Sequence, residues 1–130
     1  MIGLDTSAII DIFKGDEKVK ELLGTISEPL ALTQASYLEL IFGLNLSSLA
    51  YSDEEEFYDE LFSDLKCFSM DINSLKKASK IFWTLKGKGQ MIDQFDSVIA
   101  GIFLNNKVNS IITRNVKHFE KIDGLKVLRY

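Results

Sequence analysis

The chain has 130 residues, 46% of them hydrophobic and 26% charged. That is the size and make-up of one ordinary globular domain with a real core. A formal net charge of −4 gives no global basic field of the kind that coats nucleic acid, although a few local cations could still hold a short stretch of RNA. A lone cysteine, Cys67, rules out an intrachain disulfide and reads as a small core hydrophobe.

Short strands alternate with helices along the chain. Ile2 to Leu4 is strand-like, with no basic-then-apolar leader before it, so a cytoplasmic protein is expected. No apolar run is long enough to cross a bilayer, and no membrane role is expected. Thr6 or Ser7 can cap a short helix that Gly15 stops, and Asp16 opens a second helix to about Leu23. After Pro29, Leu30 to Thr33 reads as a second strand, followed by a long helix from about Gln34 to Leu46.

Ser52 with Glu55 has the spacing of a capping box and opens a helix to about Leu61 or Phe62. Lys66 to Met70 is the third strand. Asp71 or Asn73 then caps a helix to about Leu85, and Lys86-Gly87-Lys88-Gly89-Gln90 is a flexible basic loop. A helix containing Asp96 ends near Asn105-Asn106. Ser110 to Thr113 and Lys126 to Arg129 are the fourth and fifth strands. This alternation predicts one α/β domain over residues 1–130, its mostly parallel five-stranded sheet covered on both faces.

The isolated acids carry the functional signal. Asp5 follows an apolar strand, Glu39 lies inside Tyr37-Leu38-Glu39-Leu40-Ile41-Phe42, and Asp96 opens Asp96-Ser97-Val98-Ile99-Ala100. An ionised carboxylate is costly to bury unless something pairs with it, and a divalent metal could serve all three. Each also has a plainer reading. Asp5 can be a helix cap, and Glu39 can face solvent. Asp93 and Asp96, three apart, can be the cap and first turn of a helix whose dipole favours negative charge.

Glu39 has only Ala35, Ser36, Phe42 and Gly43 three and four residues away, so no cation on its own helix reaches it. Thr113-Arg114-Asn115 closes the fourth strand at the same sheet edge as Asp5 and reads as a turn or as support for a metal or phosphate. His118 reads as a packed or solvated side chain rather than a catalytic one. The Asp53 to Glu56 run reads as a solvated helix face.

Four segments in order carry a resemblance: Leu4-Asp5-Thr6-Ser7-Ala8-Ile9-Ile10, Glu39-Leu40-Ile41-Phe42-Gly43, Phe95-Asp96-Ser97-Val98-Ile99-Ala100, and Ile112-Thr113-Arg114-Asn115-Val116-Lys117-His118-Phe119. Together they resemble the PIN-domain nucleases, specifically the VapC-type toxins of prokaryotic toxin–antitoxin pairs, over essentially the whole chain. The resemblance implies a PIN-like doubly wound α/β/α sandwich and an endoribonuclease using Mg²⁺ or Mn²⁺, one ion or two. It places Asp5, Glu39 and Asp96 on the family's three principal acids. The fourth polar position, often aspartate, is Asn115 here, which bears on a second metal, and Asp93 is an extra acid that could compensate.

A set of oxygen donors with no cysteine or histidine cluster suits Mg²⁺ or Mn²⁺. The expected roles are Asp5 and Asp96 as direct ligands, with Asp93 beside them, and Glu39 as ligand or as orienter of the attacking water. Thr6, Thr113 and Asn115 are expected in support, and Lys86, Lys88, Arg114 and Lys117 against the RNA backbone. The resemblance also implies a homodimer neutralised by a small antitoxin, for which Leu44, Leu46, Leu49 and Tyr51 offer an apolar surface.

Two other classes compete. A haloacid-dehalogenase-type phosphatase wants a second aspartate where Ser7 stands, and a receiver domain wants an acidic pair where Thr6 follows Asp5. An inactive PIN-fold binding module is the other alternative, kept open by Asn115.

Overall fold

A computed structural model describes all residues, Met1–Tyr130. Five strands, β1 (Ile2–Leu4), β2 (Leu30–Thr33), β3 (Lys66–Phe68), β4 (Ser110–Ile112) and β5 (Lys126–Leu128), form one sheet in the order β3-β2-β1-β4-β5. Every pairing is parallel. The helices are α1 (Thr6–Lys14), α2 (Glu17–Gly24), α3 (Gln34–Phe42), α4 (Ser52–Asp64), α5 (Ile72–Gly87), α6 (Gln94–Asn105) and α7 (Val116–Phe119). No helix is long and apolar enough to cross a membrane.

The central strands are buried on both faces, which is why they read as short apolar runs rather than alternating ones. Neighbouring residues feed opposite layers. Ala31 and Ile111 join a core with Ile99, Ile102, Phe103 and Phe119, whereas Leu32 and Ile112 join one with Leu4, Ile9, Val19 and Tyr58.

Two glycines set the position of α6. A Cβ on Gly3 would stand 2.5 Å from the Phe103 ring, so its absence lets that ring lie on the middle of the sheet. A Cβ on Gly101 would stand 2.6 Å from the Ala78 backbone nitrogen, so its absence lets α5 and α6 touch main chain to main chain. With α6 held over β1, its first turn sits beside the end of that strand.

The chain winds outward from β1 to β2 and β3, then returns to β4 and β5 on the other side. The winding therefore reverses between β1 and β4. In open parallel sheets ligands collect outside the carboxyl ends of the strands at such a point. Asp5 follows β1 and Thr113 follows β4.

Several element ends differ from the sequence reading. α3 stops at Phe42 rather than Leu46, and the Asn45 side chain then accepts from the Ser47 N–H in a tight turn. The capping box does not form. A 3₁₀ turn (Leu49–Tyr51) precedes α4, Tyr51 occupies the cap position without a side-chain bond, and the Ser52 hydroxyl donates to the Leu49 carbonyl.

α4 runs on to Asp64 and α5 to Gly87, taking in the first residues of the expected basic loop. β3 ends at Phe68 because the Met70 N–H turns to the Gln34 side chain. β4 ends at Ile112. The cap of α1 is Asp5 itself, not Thr6 or Ser7.

Candidate active site

Asp5 is 2% exposed and doubles as the α1 cap. Its Oδ1 accepts from the Ala8 N–H at 2.9 Å and the Ser7 hydroxyl at 2.8 Å, and its Oδ2 accepts from the Thr113 hydroxyl at 2.6 Å. Burial pushes its carboxyl up to about 6; the Thr113, Ala8 and Ser7 bonds pull it back, and the charge of Asp96 adds to the rise.

Glu39 projects from α3 and its Oε1 accepts from the Thr6 hydroxyl. Its pKa is raised by burial, opposed by the Thr6 bond and reinforced by the charges of Asp93 and Asp5. Asp96, in the first turn of α6, is likewise raised by burial. A hydrogen bond and charge from His118 oppose that rise, and Asp93 and Glu39 add to it. Asp93 caps α6 by accepting from the Phe95 N–H at 2.8 Å. The four acids therefore lie in one another's fields, with no lysine or arginine paired to any of them.

Both donors on Asp96 reach the same oxygen. His118 Nδ1 lies 2.5 Å and the Asn115 Nδ2 amide 2.9 Å from Oδ2. The other oxygen of Asp96, Oε2 of Glu39 and Oδ2 of Asp93 make no hydrogen bond to protein. These free hard oxygens, in a field with excess negative charge, suit a Mg²⁺-like ion. No three acid side chains converge to ligating distance of one point. An ion would draw on one or two carboxylates and water, which is how Mg²⁺ is usually held.

The supporting residues divide by partner. Thr6 holds Glu39, Thr113 holds Asp5, and Asn115 holds Asp96, while the Asn115 N–H donates to the Thr113 hydroxyl at 2.8 Å. The expected cations are dispersed. Arg114 is turned to Asp11, with Nη1 and Oδ1 3.2 Å apart. Lys117 is exposed on α7. Lys86 lies over the Trp83 ring at 4.7 Å, and Lys88 lines a groove beside α5. Leu44 is 8% exposed and belongs to the core, so it leaves the proposed apolar surface; Leu46, Leu49 and Tyr51 remain on it.

Three site features were not read from the sequence. His118 is a partner of Asp96 rather than a bystander. Its spacing from Asn115, one helical turn, is the signal that could have paired them. Ser7 donates to both oxygens of Asp5 and accepts from the Arg114 N–H at 3.1 Å, joining the α1 cap to the loop after β4. Asp11, 5% exposed, takes both Arg114 and the Tyr130 hydroxyl at 2.6 Å.

The PIN domain family model matches residues 2–125, and the chain belongs to that family. Among solved structures it is similar to the VapBC2 complex of Rickettsia felis, solved with a DNA fragment of its promoter (TM-score 0.84, 21% identity, 100% of this chain and 99% of that one). It is also similar to VapBC-1 of nontypeable Haemophilus influenzae (TM-score 0.81, 28% identity, 99% and 98%). A further similarity is to VapC20 of Mycobacterium tuberculosis, described as a toxin that cleaves the sarcin-ricin loop (TM-score 0.72, 11% identity, 93% and 95%). No curated protein sequence matches significantly.

Proposed function

We propose that the chain is a Mg²⁺- or Mn²⁺-dependent endoribonuclease, the toxin of a toxin–antitoxin pair. The observation that carries this reading is the group of four acids in one field at the reversal point of the sheet, with no lysine or arginine to neutralise them. Two unit charges about 4 Å apart repel by roughly 4 kcal/mol at an effective dielectric near 20. A bound ion would supply the positive charge that keeps these acids ionised together and offsets charge on the phosphodiester.

Asp96, fixed by Asn115 and His118, would hold the ion through its free oxygen, and Asp5, fixed by Thr113 and the Ala8 N–H, would hold it by giving up its 3.0 Å Ser7 contact. Glu39, fixed by Thr6, would join them or orient the attacking water and take its proton. The water oxygen bonds to phosphorus, the ester P–O bond breaks, and the leaving oxygen takes a proton from solvent. Asn115 acts here as a donor to Asp96 rather than as a ligand, which favours one ion over two.

The parent protein should cut single-stranded RNA with Mg²⁺ or Mn²⁺ and stop in EDTA. Undiminished cleavage in EDTA would sink the metal-dependent reading.

The partner reading rests on the VapBC complexes to which the chain is similar and on two exposed apolar surfaces. Phe42, Leu46 and Leu49 are 77%, 52% and 90% exposed, next along the chain from Glu39, and suit an antitoxin segment entering the site. Ile72, Leu75 and Trp83 on α5, 71%, 38% and 61% exposed, suit a second copy of the chain. Sedimentation equilibrium should give twice the chain mass, and Trp83→Glu should return it to one. A parent that sediments as a monomer rejects the dimer.

A further inference from the structure

A groove of about 190 Å³ runs beside α5, and its rim carries Lys77 and Lys80 from that helix, Lys88 just past its end and Lys121 from the turn after α7. None of the four makes an ion pair within the protein. The only acid on the lining is Asp123, and the floor is aliphatic, with Ile81, Leu85 and Ile122. Four unpaired lysines around one groove stand out on a chain whose net charge is −4. Like charges held together repel one another, so the arrangement suits a ligand that brings several negative charges.

Two of its lysines lie close in sequence to acid-site residues. Lys88 lies on the connection that leads into Asp93 and α6, and Lys121 follows the turn that carries His118. From Lys77 to Lys88 the helix spans roughly 16 Å at 1.5 Å per residue. That is a track for a few nucleotides rather than a pocket for one phosphate. We infer that this groove binds the phosphate backbone of single-stranded RNA on its way to or from the acid cluster. The inference rests on the ribonuclease reading and deepens it by giving the substrate an extended footprint. The lysines contact phosphates and position the strand, and the aliphatic floor takes sugars and base edges without reading sequence.

The test is direct binding of a long, labelled single-stranded RNA in the Asp5→Asn background, where the strand is not cut. The double variant Lys80→Glu, Lys121→Glu changes an exposed and a half-buried rim position, and circular dichroism checks its fold. Binding should weaken at least about tenfold, and the slope of log K against log salt should become shallower by about 1.4, since each lysine on single-stranded RNA contributes about 0.7. Cleavage of a tetranucleotide by the same double variant with Asp5 intact should stay at the parent rate.

Unchanged affinity and slope for the long RNA in the folded variant overturn the groove, even if cleavage itself is metal-dependent. Binding of the long RNA without any cleavage by the parent rejects the nuclease reading but keeps the groove. If the parent binds polyglutamate at this rim and ignores RNA, the groove serves an acidic peptide and the inference is wrong.

Discussion

Replacing Asp5 or Asp96 by asparagine should remove Mg²⁺-dependent RNA cleavage while leaving the fold intact. The expected loss is on the order of 10²–10³-fold or more, the range seen when a group aimed at transition-state charge is deleted. The fold survives because asparagine keeps the main structural role of each carboxylate, although at position 5 its amide nitrogen can no longer accept the Thr113 hydroxyl. Asparagine caps a helix about as well as aspartate, so the Ala8 N–H keeps an acceptor at position 5. At position 96 the amide oxygen can still accept from Asn115 and His118.

Both variants lose charge, and Asp5→Asn also loses the acceptor of the Thr113 hydroxyl. For Asp5 the loss of charge is a gain in metal-free stability, since the carboxylate is buried without a cation of its own. Asp5→Ala is the informative control: it strips the cap and should cost about 0.5–2 kcal/mol. Asp96→Asn gives up about 0.3–1 kcal/mol of favourable interaction with the α6 dipole and regains the cost of burying a charge. Melting curves in EDTA, beside cleavage of a labelled RNA, separate the two effects. A folded Asp5→Asn or Asp96→Asn protein that cuts at the parent rate rejects the acid-cluster mechanism.

Asp5 shows what one chain does and does not disclose. Cap and functional acid read as alternatives in the sequence, and in the structure the cap bond fixes the carboxylate in the field of Asp96, so the two are compatible. The strands were legible because a buried parallel strand needs a short apolar run whatever its neighbours are. Glu39 stood out because nothing on its own helix could pair with it.

His118 was not legible in the same way. Its role depends on α7, a single turn whose geometry comes from the end of β4 rather than from local periodicity. The Asp11–Arg114 pair joins residues 103 apart, and no local pattern announces it. Leu44 looked like surplus surface because α3 was read as running on to Leu46; once α3 stops at Phe42 the side chain turns into the core. The basic loop shows how the fold redistributes local charge. Lys86 rests on Trp83, while Lys88 from the same loop shares with Lys80 and Lys121 a groove that only the folded chain assembles.

Metal-free protein should become more stable relative to Asp5→Asn as pH falls from 8 toward 4. The Asp5 carboxyl titrates near 6 when folded against an ordinary value of 3.8. Between those values the native state binds the proton and the unfolded state does not, so stability falls as pH rises. This contribution is complete below about pH 3.8 and is lost as pH climbs through 6. A shift of about two units corresponds to about 3 kcal/mol, or roughly 10 °C in Tm for a chain of this size. Glu39 and Asp96 are raised as well and act in the same direction.

Mn²⁺ should do the reverse. It binds the ionised acids, so its stabilisation grows with pH and fades as protons compete for the same oxygens. The melting temperature in EDTA and the increment given by Mn²⁺ should therefore run in opposite directions across this range for the parent. Subtracting the Asp5→Asn curve removes the titration of the carboxylates outside the cluster, and leaves that of Asp5 with its coupling to Glu39 and Asp96. If the parent in EDTA gains nothing on that variant between pH 7 and pH 5, Asp5 is already ionised at no cost, and the need for a compensating cation disappears with it.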